Sequence, residues 1–275
     1  MNTYIEKKAG KVSVKQTESL CELLRGKMPA HDDSITRLFK EMDGQIKRIC
    51  PQVTSGALNN VHGNWYEQII AAIAWEKSLQ SNSDYVLLPI PNASQFDVWS
   101  LYSDKYHNYI ADLRHKVIEA TGSQLITSNP DFVIVRKSVL KDVESLFSGG
   151  ITVESARELS ATYRGCIGRC DFDDIKGFLS VKTSMRPDRR LQVCHEGAMM
   201  KSLYSHIRTR EWVLNAKGLK YYAASTKLTK ADKQALKSVA GHSLANVQGL
   251  PEPSVDNAFS VDSVSDIDNM VSLIL

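Results

Sequence analysis

Residues 177–190 read G-F-L-S-V-K-T-S-M-R-P-D-R-R. The first half, GFLSVKTS (177–184), is short and apolar at its centre, the composition of a strand. The second half turns polar, and Pro187 and Asp188 suit the first turn of a helix, where a missing amide hydrogen costs nothing and a negative charge meets the helix dipole. The run RRLQVCHEGAMMKSLYSHIRTREW (189–212) then predicts one long helix, and LKYYAAST (219–226) predicts another strand.

Working outward, DFVIVRK (131–137) is β-branched and follows Pro130, so a third strand is expected there. Further upstream, 34–49 places Ile35, Leu38, Phe39, Met42, Ile46 and Ile49 on one helical face. Asn64 is the expected N-cap of a helix running from Trp65 to about Leu79, and another helix is expected from Asp104 to about Ala120. Residues 1–60 read as a helical, polar N-terminal region, with 61–275 as the main domain. At the other end, 249–257 holds Pro251 and Pro253 and reads as a loop. After it, 263–275 carries Val264, Ile267, Met270, Val271 and Ile274 on one apolar stripe. That helix is expected to dock on the core or on a partner subunit. Strands alternating with helices point to an α/β fold, a central mixed sheet flanked by helices.

Composition sets the outer limits. The 275 residues are 43% hydrophobic and 24% charged, a globular mixture that excludes a wholly disordered chain. No apolar run reaches the ~18 residues of a membrane span, and the charged start MNTYIEKKAGKVSVKQ is not a secretory signal. A cytoplasmic location is expected, with Cys21, Cys50, Cys166, Cys170 and Cys194 as reduced thiols. Cys166 and Cys170 invite a zinc reading, but no second ligand pair at finger-like spacing lies nearby, which favours two thiols one helical turn apart. A net charge of +3 is too small to argue for nucleic acid by itself. No Walker A loop, G-x-S-x-G or H-E-x-x-H occurs.

What remains is a constellation suited to phosphodiester hydrolysis, which needs carboxylates for a divalent metal, an activated water and a cation for the developing charge. Asp131 opens one strand and Lys182 ends another, so adjacent strands could bring them together. Ser180, two residues before Lys182, faces the same way and occupies the position where the PD-(D/E)xK pattern carries an acid. Glu196, fourteen residues after Lys182, could return a carboxylate to that corner from the following helix, and Glu67 could supply another. Asp174-Ile175-Lys176 is a rival D-x-K, less well placed because it lies in a charged turn. Arg186, Asp188 and Arg189 could read adjacent G·C pairs, since arginine donates to guanine O6 and N7 and aspartate accepts from cytosine N4. A non-catalytic protein using R-P-D-R to bind DNA, or an interaction protein with surface acids, would share some of these features.

The run K-T-S-M-R-P-D-R (182–189), with Glu196 downstream and H-G-N-W-Y-E (62–67) upstream, resembles the NgoMIV-like type II restriction endonucleases that cut sites containing CCGG. The resemblance covers three islands within roughly 60–200 and implies a PD-(D/E)xK fold with Mg²⁺ as cofactor. It implies that Asp131, Glu196 and the Val181 carbonyl hold the metal, that Glu67 supports that site, and that Lys182 stabilises the attacking water or the scissile phosphate. Arg186 and Arg189 would read guanines and Asp188 cytosines. Ser180, where the family often has a small polar residue, and Asn60, near a minor-groove contact position, complete the implied DNA-binding set. The partner would be double-stranded DNA, cut before the first C to leave four-base 5′ overhangs. A homodimer, or a higher oligomer built from it, would match the palindrome.

Overall fold

The structure is a computed structural model that describes residues 4–8, 11–125, 128–141, 143–244 and 250–275. A two-stranded antiparallel ribbon, β1 (Ile5–Lys8) and β2 (Lys11–Val14), leads into α1 (Gln16–Leu23), α2 (Ile35–Ile49) and α3 (Ser55–Gln80). Then come β3 (Tyr85–Pro89), α4 (Asp104–Thr121), β4 (Phe132–Arg136), α5 (Val153–Ala161), β5 (Ile175–Lys182) and α6 (Pro187–Arg210). The chain closes with β6 (Lys220–Ser225), α7 (Lys230–Leu236), α8 (Gly241–Leu244), β7 (Asn257–Ser260) and α9 (Val264–Ile274).

The main sheet has the order β3-β4-β5-β6-β7, antiparallel from β3 to β5 and parallel from β5 to β7. This is the mixed sheet expected from the sequence. β5 is the middle strand, and its residues from Gly177 to Val181 are buried, as a strand covered on both faces requires. The parallel step from β5 to β6 needs a crossover, which α6 supplies. Two strands were not legible. β3 (YVLLP) has no alternation because Val86, Leu87 and Leu88 are all buried, and β7 (NAFS) is a four-residue edge strand that starts at Asn257, the last residue of the expected loop.

Two expectations need correction. The helix assigned to Trp65–Leu79 begins ten residues earlier, at Ser55, capped by the Thr54 hydroxyl, which accepts from the Ala57 amide. Asn64 lies inside that helix and accepts from Gln68 Nε2. Gly56, Asn59, Asn60 and Gly63 are poor helix formers, but Leu58 and Val61 are buried, and tertiary packing overrides propensity. Second, α3 crosses the 60/61 boundary, and 1–60 contains the β1–β2 ribbon as well as helices. Its Tyr4, Leu20, Ile35 and Phe39 share one apolar cluster with sheet residues such as Phe132 and Phe178. The α9 stripe packs on this chain's own core, one of the two dockings expected for it. Ile267, Met270, Val271 and Ile274 are all buried. In α2 the expected face holds except at its end, where Ile49 is half exposed.

Candidate active site

Asp131 immediately precedes β4. In the β4–β5 register Phe132 stands opposite Leu179, so one step further brings Asp131 to Ser180. Its Oδ2 accepts hydrogen bonds from the Val181 amide at 2.5 Å, the Lys182 ammonium at 2.9 Å and the Ser180 hydroxyl at 3.2 Å. Three consecutive β5 residues therefore converge on one carboxylate. Ser180 and Lys182 reach it with side chains on the same face, and Val181 between them reaches it through its backbone. The Val181 group seen at the site is thus its N–H, while the resemblance assigned its carbonyl.

Glu196 arrives from α6 and is almost fully buried, at 2% exposure. Its Oε2 accepts from the Tyr221 hydroxyl at 2.8 Å and the Ser180 hydroxyl at 3.2 Å, and its Oε1 from Ser128 Oγ at 2.8 Å and Gln192 Nε2 at 3.0 Å. The acid on the following helix thus fills the corner that Ser180 leaves vacant. Ser180 Oγ lies between the two acids, which puts Asp131 Oδ2 and Glu196 Oε2 within 6.4 Å, twice 3.2 Å. A hydroxyl has one proton, so it satisfies only one of these carboxylates at a time. Ser180 is itself fully buried and engaged with both acids, which corrects its assignment to the DNA-contact set.

Glu67 projects from α3 into a cleft of about 710 Å³ that Asn64, Gln68, Pro130 and Asp131 also line. Burial and the nearby Asp131 charge push its carboxyl up to about 8, against the opposing pull of Lys182 and Arg189. For Lys182, burial lowers the ammonium pKa, but the Asp131 carboxylate and the charges of Glu196 and Glu67 outweigh that and hold it above its ordinary value. The donor set suits a hard cation. No group of three or more His, Cys, Asp and Glu side chains forms a cage among the described residues. Asp131 and Glu196, joined through one hydroxyl and flanked by Glu67, nevertheless gather three carboxyl groups against a single contacting ammonium, that of Lys182, and a small oxygen-seeking cation that keeps several waters needs no more from the protein.

The rival D-x-K is elsewhere. Lys176 lies near the opposite end of β5, where its ammonium donates to the Leu275 oxygen at 2.7 Å and sits 5.2 Å from the Tyr85 ring centre. Asp174 pairs with Arg136 at 2.9 Å, at the far end of β4 from Asp131. Cys166 and Cys170 are both buried, with Cys170 Sγ 3.9 Å from the Cys166 carbonyl oxygen.

Arg186 occupies the N-cap of α6, and Asp188 lies in its first turn. Their side chains, 63% and 66% exposed, pair at 3.2 Å. So exposed a pair contributes only ~0–1 kcal/mol, and both groups are free to exchange it for other partners. Arg189 is half-buried beside them. Asn60 is exposed on α3, two helical turns from Glu67 on the same face.

The structure brings Asp131, Lys182 and Glu196 together as expected, with Glu67 lining the adjoining cleft. It adds three residues that sequence reasoning missed: Ser128, Gln192 and Tyr221, all donors to Glu196. Gln192 carried a signal, being one helical turn before Glu196. Ser128 and Tyr221 carried none, since only the tertiary fold brings them there.

Comparison with known proteins accounts for this arrangement. A family model described as Cfr10I/Bse634I restriction endonuclease matches residues 7–275. The type II restriction enzyme Cfr10I of Citrobacter freundii is 42% identical over 236 residues, covering 83% of this chain and 81% of that protein. The structure of the Bse634I restriction endonuclease superposes with a TM-score of 0.89 at 33% identity, covering 99% of this chain and 97% of the other. A second, described as the type IIF restriction endonuclease Bse634I with cognate DNA, gives 0.91 at 32% identity over 100% and 98% of the two chains. The matching family is named for these two enzymes, where the sequence resemblance was drawn to NgoMIV; type II restriction cleavage is the common ground. With a catalytic family matched over nearly the whole chain, the non-catalytic reading falls, and the protein belongs to the Cfr10I/Bse634I restriction endonuclease family, a group of type II site-specific deoxyribonucleases.

Proposed function

We propose that this enzyme uses Mg²⁺ to hydrolyse both strands of a palindromic DNA site containing CCGG, cutting before the first C to leave four-base 5′ overhangs. The observation that carries the reading is the convergence of Asp131, Lys182 and Glu196 around Ser180, next to the exposed Arg186-Asp188 pair at the start of α6. Asp131 and Glu196, with the Val181 carbonyl, would hold the metal, and Glu67 would support them. The bound ion would supply charge neutralisation at the phosphate and a more acidic water. Lys182 presents an ammonium to the scissile phosphate from the end of β5. Asp131, by accepting from Lys182 and the Val181 amide, fixes where that ammonium points.

Arg186 and Arg189 read guanines and Asp188 the paired cytosines, because a helix N-terminus can enter the major groove with its first residues against base edges. Asn60 approaches the minor groove. A homodimer presents two such sites to the two-fold axis of a palindrome, one per strand, and higher oligomers can be built from that unit. The cytoplasm, where the DNA is, is the place of action. No helix among the described residues is long and apolar enough to cross a membrane.

Incubating a sequenced plasmid with the protein in Mg²⁺ or in EDTA, and sequencing the ends, tests the proposal. Ends that all begin 5′-CCGG, formed only with the metal, are expected. Ends at unrelated sequences, or cleavage undiminished in EDTA, would overturn it.

A further inference from the structure

Glu196 is held by donors from three other parts of the fold, and two of these have no role in the reading above. Tyr221 comes from β6 and is fully buried. Its hydroxyl is 2.8 Å from Glu196 Oε2. Ser128 comes from the loop before β4 and donates to Oε1 at 2.8 Å. The two hydroxyls grip the two carboxylate oxygens separately, so together they set both the position of the group and its rotation.

The surrounding packing is arranged to let the phenol reach its target. Gly197 follows Glu196 on α6, and a Cβ there would stand 2.9 Å from Tyr221 Cδ1 and 2.2 Å from the Ser254 carbonyl oxygen. Only glycine lets the helix lie this close to the Tyr221 ring. The Tyr221 backbone is fixed as well: its amide donates to Asp256 Oδ2 at 2.8 Å, and its carbonyl accepts from the Asp256 amide at 2.8 Å. Asp256 in turn pairs at 2.7 Å with Lys201, a buried lysine five residues along α6 from Glu196. The ring is therefore tied to the same helix that carries the acid.

We infer that Tyr221 and Ser128 are positioning residues for Glu196, holding its carboxylate ready for the divalent cation. This inference rests on the metal-site reading above. The argument is that of an outer shell: a ligating carboxylate that must wait in one orientation needs fixed donors behind it, and losing one such donor typically costs about 10–100-fold in metal affinity or activity. A carboxylate on a helix with no such donors would sample several rotamers and lose part of the binding free energy to ordering.

The test uses the full-length enzyme and the duplex whose sequence the wild type cuts, with Ca²⁺ as the probe. The Ca²⁺ concentration that half-maximally tightens duplex binding is measured for wild type, Tyr221→Phe, Ser128→Ala and Glu196→Gln. Thermal midpoints and metal-free binding are measured beside it. Tyr221→Phe and Ser128→Ala are expected to raise the Ca²⁺ midpoint about tenfold or more while metal-free binding stays at the wild-type level. Ser128→Ala, in a partly exposed loop, answers the question even should Tyr221→Phe not fold. A shift in Glu196→Gln with none in the folded positioning variants would overturn this inference and leave the metal site standing. No shift in Glu196→Gln would overturn both.

Discussion

The Lys182 ammonium stands 2.9 Å from Asp131 Oδ2, although 51 residues separate them in sequence. The pair is made by the antiparallel register of β4 and β5, and the same Asp131 oxygen also accepts from the Val181 amide. Removing Asp131 therefore takes away an acid and frees a cation at the same point. Asp131→Ala is expected to abolish cleavage while keeping specific binding without metal or in Ca²⁺. Metal-free binding tightens, because less negative charge faces the phosphate. A plasmid assay and a gel-shift titration check both halves; near wild-type cleavage by Asp131→Ala would refute the site.

The two lysines of β5 separate cleanly. Lys182→Ala should lower the cleavage rate by at least ~10²-fold, the scale of losing a positioned electrostatic group. Lys176→Ala, at the other end of the strand against Leu275 and Tyr85, should change it little. Single-turnover rates at saturating enzyme make the comparison, and the reverse ranking would move the site to Asp174-Ile175-Lys176.

Arg189→Ala and Arg186→Ala test base reading. Each lost base contact should cost ~1–3 kcal/mol on the specific duplex and little on random DNA. A phosphate contact would instead weaken both alike and flatten the salt dependence by about one unit. Competition binding at two salt concentrations tells them apart. Equal weakening on both duplexes would reduce R-P-D-R to a backbone clamp.

Lys201 predicts a stability effect away from the cut. It is 2% exposed and bonds the Pro253 carbonyl at 2.8 Å and Asp256 at 2.7 Å. Lys201→Met leaves Asp256 with the weaker partner Lys220, 3.2 Å away and half exposed. Breaking a buried pair by deleting one side costs about 3–5 kcal/mol, and the surviving partner favours the lower end. Urea unfolding should show that loss as a lower midpoint; a change under ~1 kcal/mol would mean the pair behaves as a surface one.

Asp97 offers a pH-dependent case. Burial raises its carboxyl, but Arg114, whose two nitrogens bond its two oxygens, outweighs that, and the Trp99 amide helps hold the pKa below the ordinary value. A depressed native pKa stabilises above the unfolded value and is lost as pH falls through the native one. Asp97→Asn should therefore cost about 1 kcal/mol at pH 7, and the gap to wild type should shrink below pH ~4. Denaturant melts at both pH values measure it; a gap that widens in acid would contradict the ion pair.

By itself the sequence determined those parts that depend on neighbouring residues. The apolar run ending at Lys182 made β5, Pro187 and Asp188 opened α6, and the spacing from Lys182 to Glu196 placed an acid where the next helix could return it. Local backbone preference and side-chain periodicity suffice for these. The β3 and β7 strands, the start of α3 at Ser55 and the docking of α9 were decided by burial against distant residues, which overrides local signals when an all-apolar strand, a polar edge or a glycine-containing helix meets the core. The same holds within the site. Nothing near Tyr221 or Ser128 in sequence marks them as partners of Glu196, and Ser180 reads as a missing acid until its hydroxyl is found between two carboxylates. Hydrogen bonds reach only ~3 Å, so which groups share one is settled by strand register and helix packing, and these are properties of the folded chain alone.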